Sequence, residues 1–410
     1  MTRILHVLDH SLPEQSGYAS RSHGILSALA AMGLKVEAIT SPKYGGRATA
    51  FDDIDSIRYW RTSVNTGEVT GGVFSQIQAI LGTHRGIRRY CRDNGADLIH
   101  AHSPCLNGLA AMVMRNCPLV YEMRSSWEDA AVSSGTTTEG SLRYKLSRAL
   151  ETWVVRRAQA VTVICDGLKR ELISRGISEE KLSVVPNALP ADMFSLSTHA
   201  QSTAVRQRFG LGDNRVIGFF GSFFEWEGVD SLVKAMPKIT AAVPNARLLL
   251  AGGGRQESFL RELVGERSLN DCVIFAGRIG PEAIREFYGA ADVMVYPRIS
   301  DRLTEMVTPL KPLEAMAQNT PVIASDIGGH RELIENEKTG FLYHAGDNNA
   351  LAAKVVEVLG GGSAIDDVIR AARQRVDRER RWSVVCQRYV PIYERLLGRS
   401  LAITSEAATR

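Results

Sequence analysis

Along this chain, short apolar runs rich in β-branched residues alternate with stretches of helical periodicity from one end to the other. The run "ILHVL" (residues 4–8) precedes a helix expected over Ser20–Met32, which Gly33 closes, and "KVEAIT" (35–40) follows as the next strand. That order is a βαβ unit. It recurs through "DLIHAHS" (97–103), "PLVYEM" (118–123), "AVTVIC" (160–165) and "KLSVVPN" (181–187), with a helix expected over Leu142–Arg157. A second series follows: "VIGFFG" (216–221), "ARLLLAGGG" (246–254), "CVIFAG" (272–277), "DVMVYP" (292–297), "PVIAS" (321–325) and "GFLY" (340–343). Strands this apolar on both faces suit parallel sheets covered by helices on each side.

Between the two series, Pro186–Thr203 has the composition of a linker, which places a boundary near residue 190. The expected architecture is α/β, with two Rossmann-like, doubly wound parallel-sheet domains over 1–190 and 191–379. A helical segment over about 380–398 is expected to return to the first domain. Two such sheets facing across a cleft would gather their chemistry in the loops that follow strands.

A length of 410 residues supports two cores, and 44% hydrophobic with 23% charged residues excludes a disordered chain. A net charge of 49 − 45 = +4 does not argue for nucleic acid. The six cysteines show no metal-like or disulfide-like spacing, and no apolar run reaches the length of a membrane span. A cytoplasmic protein is expected, at most peripheral to the inner face of a membrane. Arg85, Arg88, Arg89 and Arg92 form one basic cluster. Arg143, Lys145, Arg148, Arg156 and Arg157 form another, so an anionic membrane surface is a further candidate partner.

The most informative stretch is "TEMVTPLKPLEAMA", Thr304–Ala317. Pro312 marks a first helical turn, whose free N–H groups around Thr308–Leu310 attract an anion, and Lys311 adds a full positive charge there. Glu314, three residues on, suits hydroxyl donors such as those of a ribose. Arg298 and Arg302 crowd the same loop. A plain exposed Lys311–Glu314 pair is the competing reading, and it would contribute only about 0.2–0.5 kcal/mol.

Here the chain resembles the family 4 nucleotide-sugar glycosyltransferases of GT-B architecture, most specifically over "TPLKPLEAMAQNTPVIASDIGGHRELIENEKTGFLY" (308–343). "ILHVLDHSLPEQSGY" and "YEMRSSWEDA" are similar to bacterial exopolysaccharide enzymes, including those associated with exosortase systems. The resemblance implies retaining transfer of a sugar from a UDP- or GDP-type donor to a glycan or lipid-linked acceptor, with no cofactor and no metal. It implies that Glu314 binds the donor ribose, and that Glu305, one position off the family's Glu-x7-Glu spacing, touches the donor sugar. Ser222 and Glu227 stand where relatives carry diphosphate-binding cations, so Lys311 and Arg298, with Arg302 as a further candidate, are expected to replace them. Arg124 aligns with a catalytic-loop histidine, with an ion pair to Glu122, Glu128 or Asp129 as the alternative.

Gly17 offers close backbone approach to a diphosphate, and Arg278 and Ile279 of "FAGRI" are expected to flank the base. The triple glycine of "AGGGR" (251–255) is read as a weaker phosphate-binding signal. "FDDID" (51–55) reads as a solvated loop and not as a metal signature. His100 and His102 are placed on opposite faces of their strand, so that at most one reaches a ligand. Two rival functions share this architecture: a catalytically silent nucleotide-sugar-binding subunit and a sugar-nucleotide epimerase.

Overall fold

A computed structural model describes residues 2–14, 16–42, 50–62, 73–112, 114 and 117–403. It divides into two compact units, Met1–Ala188 with Trp382–Arg410, and Leu189–Arg381. Each has its own hydrophobic core.

The first unit holds an eight-stranded sheet. Its strands are β1 (Arg3–Leu8), β2 (Lys35–Thr40), β3 (Phe51–Ile54), β4 (Ile57–Arg61), β5 (Leu98–His102), β6 (Leu119–Met123), β7 (Ala160–Val163) and β8 (Leu182–Val184), in the order β3-β4-β2-β1-β5-β6-β7-β8. All neighbours are parallel except β3 and β4. The second unit holds β9 (Arg215–Ser222), β10 (Ala246–Gly253), β11 (Val273–Gly277), β12 (Val293–Tyr296), β13 (Val322–Ser325) and β14 (Phe341–Tyr343), all parallel, in the order β11-β10-β9-β12-β13-β14. Both central strand sets are buried on both faces, which is why they read as continuous apolar runs.

Two expectations are corrected. "FDDID" is no loop, because Phe51–Ile54 forms an edge strand paired antiparallel with β4. Asp52 and Asp53 are engaged by Arg61 and Arg58 at 2.8 Å, so acidic residues that suggested solvent are neutralised across the hairpin. His100 and His102 share one face, as residues two apart on a strand must. Their rings stack with centroids 4.3 Å apart.

The segment after Trp382 forms short helical pieces, Trp382–Val385 and Val390–Leu397, that belong to the first unit. Arg21 lies over the Trp382 ring at 5.3 Å, and the Tyr389 hydroxyl donates to Glu122 Oε2. Glu122 is fully buried on β6 and also accepts from Arg21 Nε (3.1 Å) and Arg124 Nε (2.9 Å). Burial alone would raise its carboxyl, but Arg21 and its cationic neighbour Arg124 outweigh that and hold it well below the carboxylate range. Glu122→Ala would leave both guanidinium groups buried without a counter-charge. The expected loss is about 3–5 kcal/mol, read as a lowered denaturation midpoint. An unchanged midpoint would contradict this role.

Candidate active site in the second unit

The carboxyl ends of β9 and β12, adjacent strands at the middle of the six-stranded sheet, carry the site. After β9 the chain turns through the short helical turn Glu225–Glu227 and reaches Gly228 at φ 65°, a left-handed conformation that glycine adopts without cost. A Cβ there would lie 2.1 Å from the Pro297 carbonyl oxygen, so only glycine lets this turn approach the loop after β12. Ile299 N–H donates to the Trp226 carbonyl at 3.1 Å and fastens the two loops together. The result is that Glu227 faces Arg298.

Glu227 is the centre of the arrangement. Buried to 3% exposure, it accepts from Arg298 Nη2 at 2.8 Å through Oε1 and from Lys311 Nζ at 2.8 Å through Oε2. Burial alone raises its pKa; Arg298, then Lys311, outweigh burial and bring it down to about 2. Lys311 opens the helix Lys311–Ala317, its carbonyl accepting from the buried Tyr296 hydroxyl at 2.9 Å. Its ammonium sits 4.8 Å over the Phe219 ring. At Gly221 (φ 141°) a Cβ would lie 2.3 Å from Lys311 Cε, so the lysine crosses the end of β9 only because no side chain stands there.

The expectation that Lys311 and Arg298 act as replacement cations is therefore refined. Both are paired to one carboxylate, and the group of three carries a net charge of about +1. Glu227 fixes two cations at one place instead of merely removing a third. Arg298 Nη1 has no hydrogen-bond partner among the described residues.

One turn beyond Lys311, Glu314 accepts from the Tyr288 hydroxyl at 2.8 Å through Oε2, which leaves Oε1 unbonded among the described residues. Burial raises its carboxyl, with Tyr288 and Lys311 acting in the opposite direction. Behind Arg298, Ser325 donates to its carbonyl at 2.7 Å, and His330 Nδ1 lies 2.8 Å from the Ser325 carbonyl. A carbonyl only accepts, so Nδ1 carries the proton. Burial lowers the His330 pKa to about 3, and the ring stays neutral.

The remaining expected residues separate into groups. Thr308 is buried and Leu310 half-buried at the start of the Lys311 helix. Ser222, at the end of β9, and Arg278, beyond β11, are exposed, while Ile279 packs against the core. Glu305 is engaged at both oxygens, by Ser300 Oγ (2.7 Å) on one and by Gly328 N–H (2.7 Å) and Arg331 Nη2 (3.0 Å) on the other. Gly17 and Arg124 lie in the first unit. Gly17 is exposed in the first turn of a helix whose start is capped by Ser16.

Arg124 takes the ion pair with Glu122 and also donates to Ser22 Oγ (2.9 Å), the Tyr18 carbonyl (3.1 Å) and His102 Nδ1 (2.7 Å). His102 Nδ1 also lies 3.2 Å from Glu122 Oε1, and its Nε2 lies 2.8 Å from His6 Nδ1. His6, His100 and His102 come close enough to suggest an ion. All three are buried, and one ring nitrogen of each lies within 4.8 Å of the others.

Sequence reasoning missed Tyr288, Tyr296 and His330, whose roles depend on strand and helix ends meeting in space. Glu227 was singled out as standing where relatives carry a cation, but its pairing with Arg298 and Lys311 was not foreseen.

A glycosyltransferase 4-like domain model matches residues 16–188, and a model for glycosyl transferases group 1 matches residues 201–375. The chain belongs to the family 4 glycosyltransferases. This glycosyltransferase is 24% identical over 385 residues to an uncharacterised glycosyltransferase of Methanocaldococcus jannaschii, covering 92% of this chain and 94% of that one. Its fold matches a sucrose-phosphate synthase from Thermosynechococcus elongatus with a TM-score of 0.79 at 23% identity, over 97% of this chain and 100% of that one. It also matches the Anabaena protein HepE, solved in complex with UDP-glucose, with a TM-score of 0.74 at 16% identity, over 96% and 100% of the two chains. The glycosyltransferase has the GT-B fold, with two parallel-sheet α/β domains.

Because the Glu227 pKa is depressed in the folded state, its contribution is complete above the ordinary value of 4.5 and is lost as pH falls towards 2. Glu227→Gln should therefore cost about 3 kcal/mol near neutral pH, and the gap to wild type should narrow below pH 4.5 in denaturant titrations. A gap independent of pH would contradict the assigned ion pairs.

Proposed function

We propose that this glycosyltransferase moves a hexosyl group from a UDP- or GDP-type sugar to a glycan or lipid-linked acceptor, with retention of configuration and without a metal. The observation that carries the donor reading is the Arg298–Glu227–Lys311 group at the carboxyl ends of β9 and β12, one helical turn from the open oxygen of Glu314. A nucleotide diphosphate presents a diphosphate and a ribose, and these are the two chemistries that cations and a carboxylate acceptor recognise. UDP-glucose bound to HepE supports a donor of this class.

In the proposed reaction the bond from the sugar C1 to the phosphate oxygen breaks, and its electron pair goes to the diphosphate. Lys311 and Arg298 stabilise that growing charge as donors already held in place by Glu227. The acceptor oxygen bonds to C1, and its proton passes to the departing phosphate oxygen. Retention and the exopolysaccharide class of acceptor draw on the family resemblance. Metal independence draws on the two cations, and on Asp52 and Asp53 being held by arginines. Arg124, donating in four directions inside the first unit, serves in this reading to position its neighbours.

The full engagement of Glu305 favours one rival, a nucleotide-sugar-binding subunit without turnover. Thermal shift with UDP-, GDP- and ADP-sugars finds the donor, and release of free nucleotide in the presence of an acceptor separates enzyme from binder. Lys311→Ala should lower kcat by about 100-fold or more, and Gly221→Ala should act in the same direction by displacing the lysine. Glu314→Ala should raise the donor KM by about tenfold with a smaller change in kcat. Wild-type kinetics in Lys311→Ala and Glu314→Ala would remove the site.

A further inference from the structure

The helix Leu142–Arg157 buries Tyr144, Glu151, Val154 and Val155 in the first unit. At about 100° per residue, the direction opposite these positions belongs to Leu142, Leu146, Ala149 and Trp153. Leu142, Leu146 and Trp153 are 74%, 61% and 45% exposed. An ordinary surface helix turns its polar side to water, and this one turns an apolar stripe to water along its whole length. Lys145 and Arg156 flank the stripe on one side, Arg143 and Arg157 on the other, and all four are exposed. The helix has one acid, Glu151, which is buried and accepts from the Tyr121 hydroxyl at 3.0 Å.

A second helix repeats the pattern. Val73–Asn94 exposes Phe74, Ile77 and Leu81 in its first half and Arg85, Arg88, Arg89 and Arg92 on the same side further along. Both helices pack on the short helix Cys105–Ala111, so the two stripes belong to neighbouring elements.

We propose that the face carrying Leu142, Leu146 and Trp153 docks on an anionic lipid bilayer. Leucine and tryptophan would enter the boundary between headgroups and acyl chains while the basic side chains reach lipid phosphates, the division of labour of an interfacial helix. Charge decides against a second copy of this chain, because a two-fold pairing would set one basic flank against another. Each basic side chain near an anionic surface is expected to strengthen binding by about fivefold, an effect that salt weakens. The inference extends the proposed acceptor class, since a lipid-linked acceptor lies in the same surface, but its evidence is independent of the donor site.

The test is sedimentation of the full chain with phosphatidylglycerol–phosphatidylcholine vesicles and with phosphatidylcholine alone, at low and high salt. Wild type should bind the anionic vesicles at least about tenfold more tightly than the neutral ones, with loss in high salt. The triple variant Leu142→Ser, Leu146→Ser, Trp153→Ser should lose about tenfold or more while keeping its melting temperature. A second variant, Arg143→Glu with Lys145→Glu, should lose the preference for anionic lipid. Absence of binding at low salt, or wild-type binding by the triple variant, would overturn the proposal. So would a wild-type dimer that the triple variant converts to monomer, or binding to polyglutamate with none to vesicles. No nucleotide enters this assay, so its failure and a failure of the donor site are told apart.

Discussion

A carboxylate held between two cations organises the second unit. Glu227 is buried, and a buried charge is tolerated only when paired, so Arg298 and Lys311 must both reach it. That requirement propagates outward. Glycine at 228 lets the Glu227 turn meet the loop after β12, glycine at 221 lets Lys311 cross β9, and the Tyr296 hydroxyl holds the start of the lysine's helix. The site is thus formed before any ligand arrives. A diphosphate meets cations that need not reorganise, which is where electrostatic stabilisation is strongest.

The first unit uses the same device for a different end. Glu122 gathers Arg21, Arg124 and Tyr389, joining the helix after β1, the end of β6 and the returning C-terminal segment in one polar centre. Nearly every donor of Arg124 is spent inside it. Two buried glutamates therefore have contrasting surroundings: Glu122 is enclosed by its partners, whereas Glu227 leaves Arg298 Nη1 unbonded among the described residues.

Much of this was legible in the residues. Parallel strands buried on both faces announce themselves as apolar runs, so twelve of the fourteen strands among the described residues were readable; the edge hairpin, Phe51–Ile54 with Ile57–Arg61, was not. Its aspartates look solvated until the arginines five and nine positions away are seen to fold over them. Lys311 and Glu314 were legible because proline and charge mark a helix start. The position of Glu227 between Arg298 and Lys311 was not, since pairing over 71 and 84 residues is a property of strand order and loop packing. The same holds for Tyr288 under Glu314 and His330 behind Arg298.

The most direct measurement is calorimetric titration of the wild type and Lys311→Ala with UDP and GDP, each beside its monophosphate. The preferred diphosphate should bind the wild type at least about tenfold more tightly than its monophosphate, and Lys311→Ala should erase that increment while leaving monophosphate affinity near its original value. An equal preference for the second phosphate in both proteins would contradict the placement of the diphosphate at Lys311.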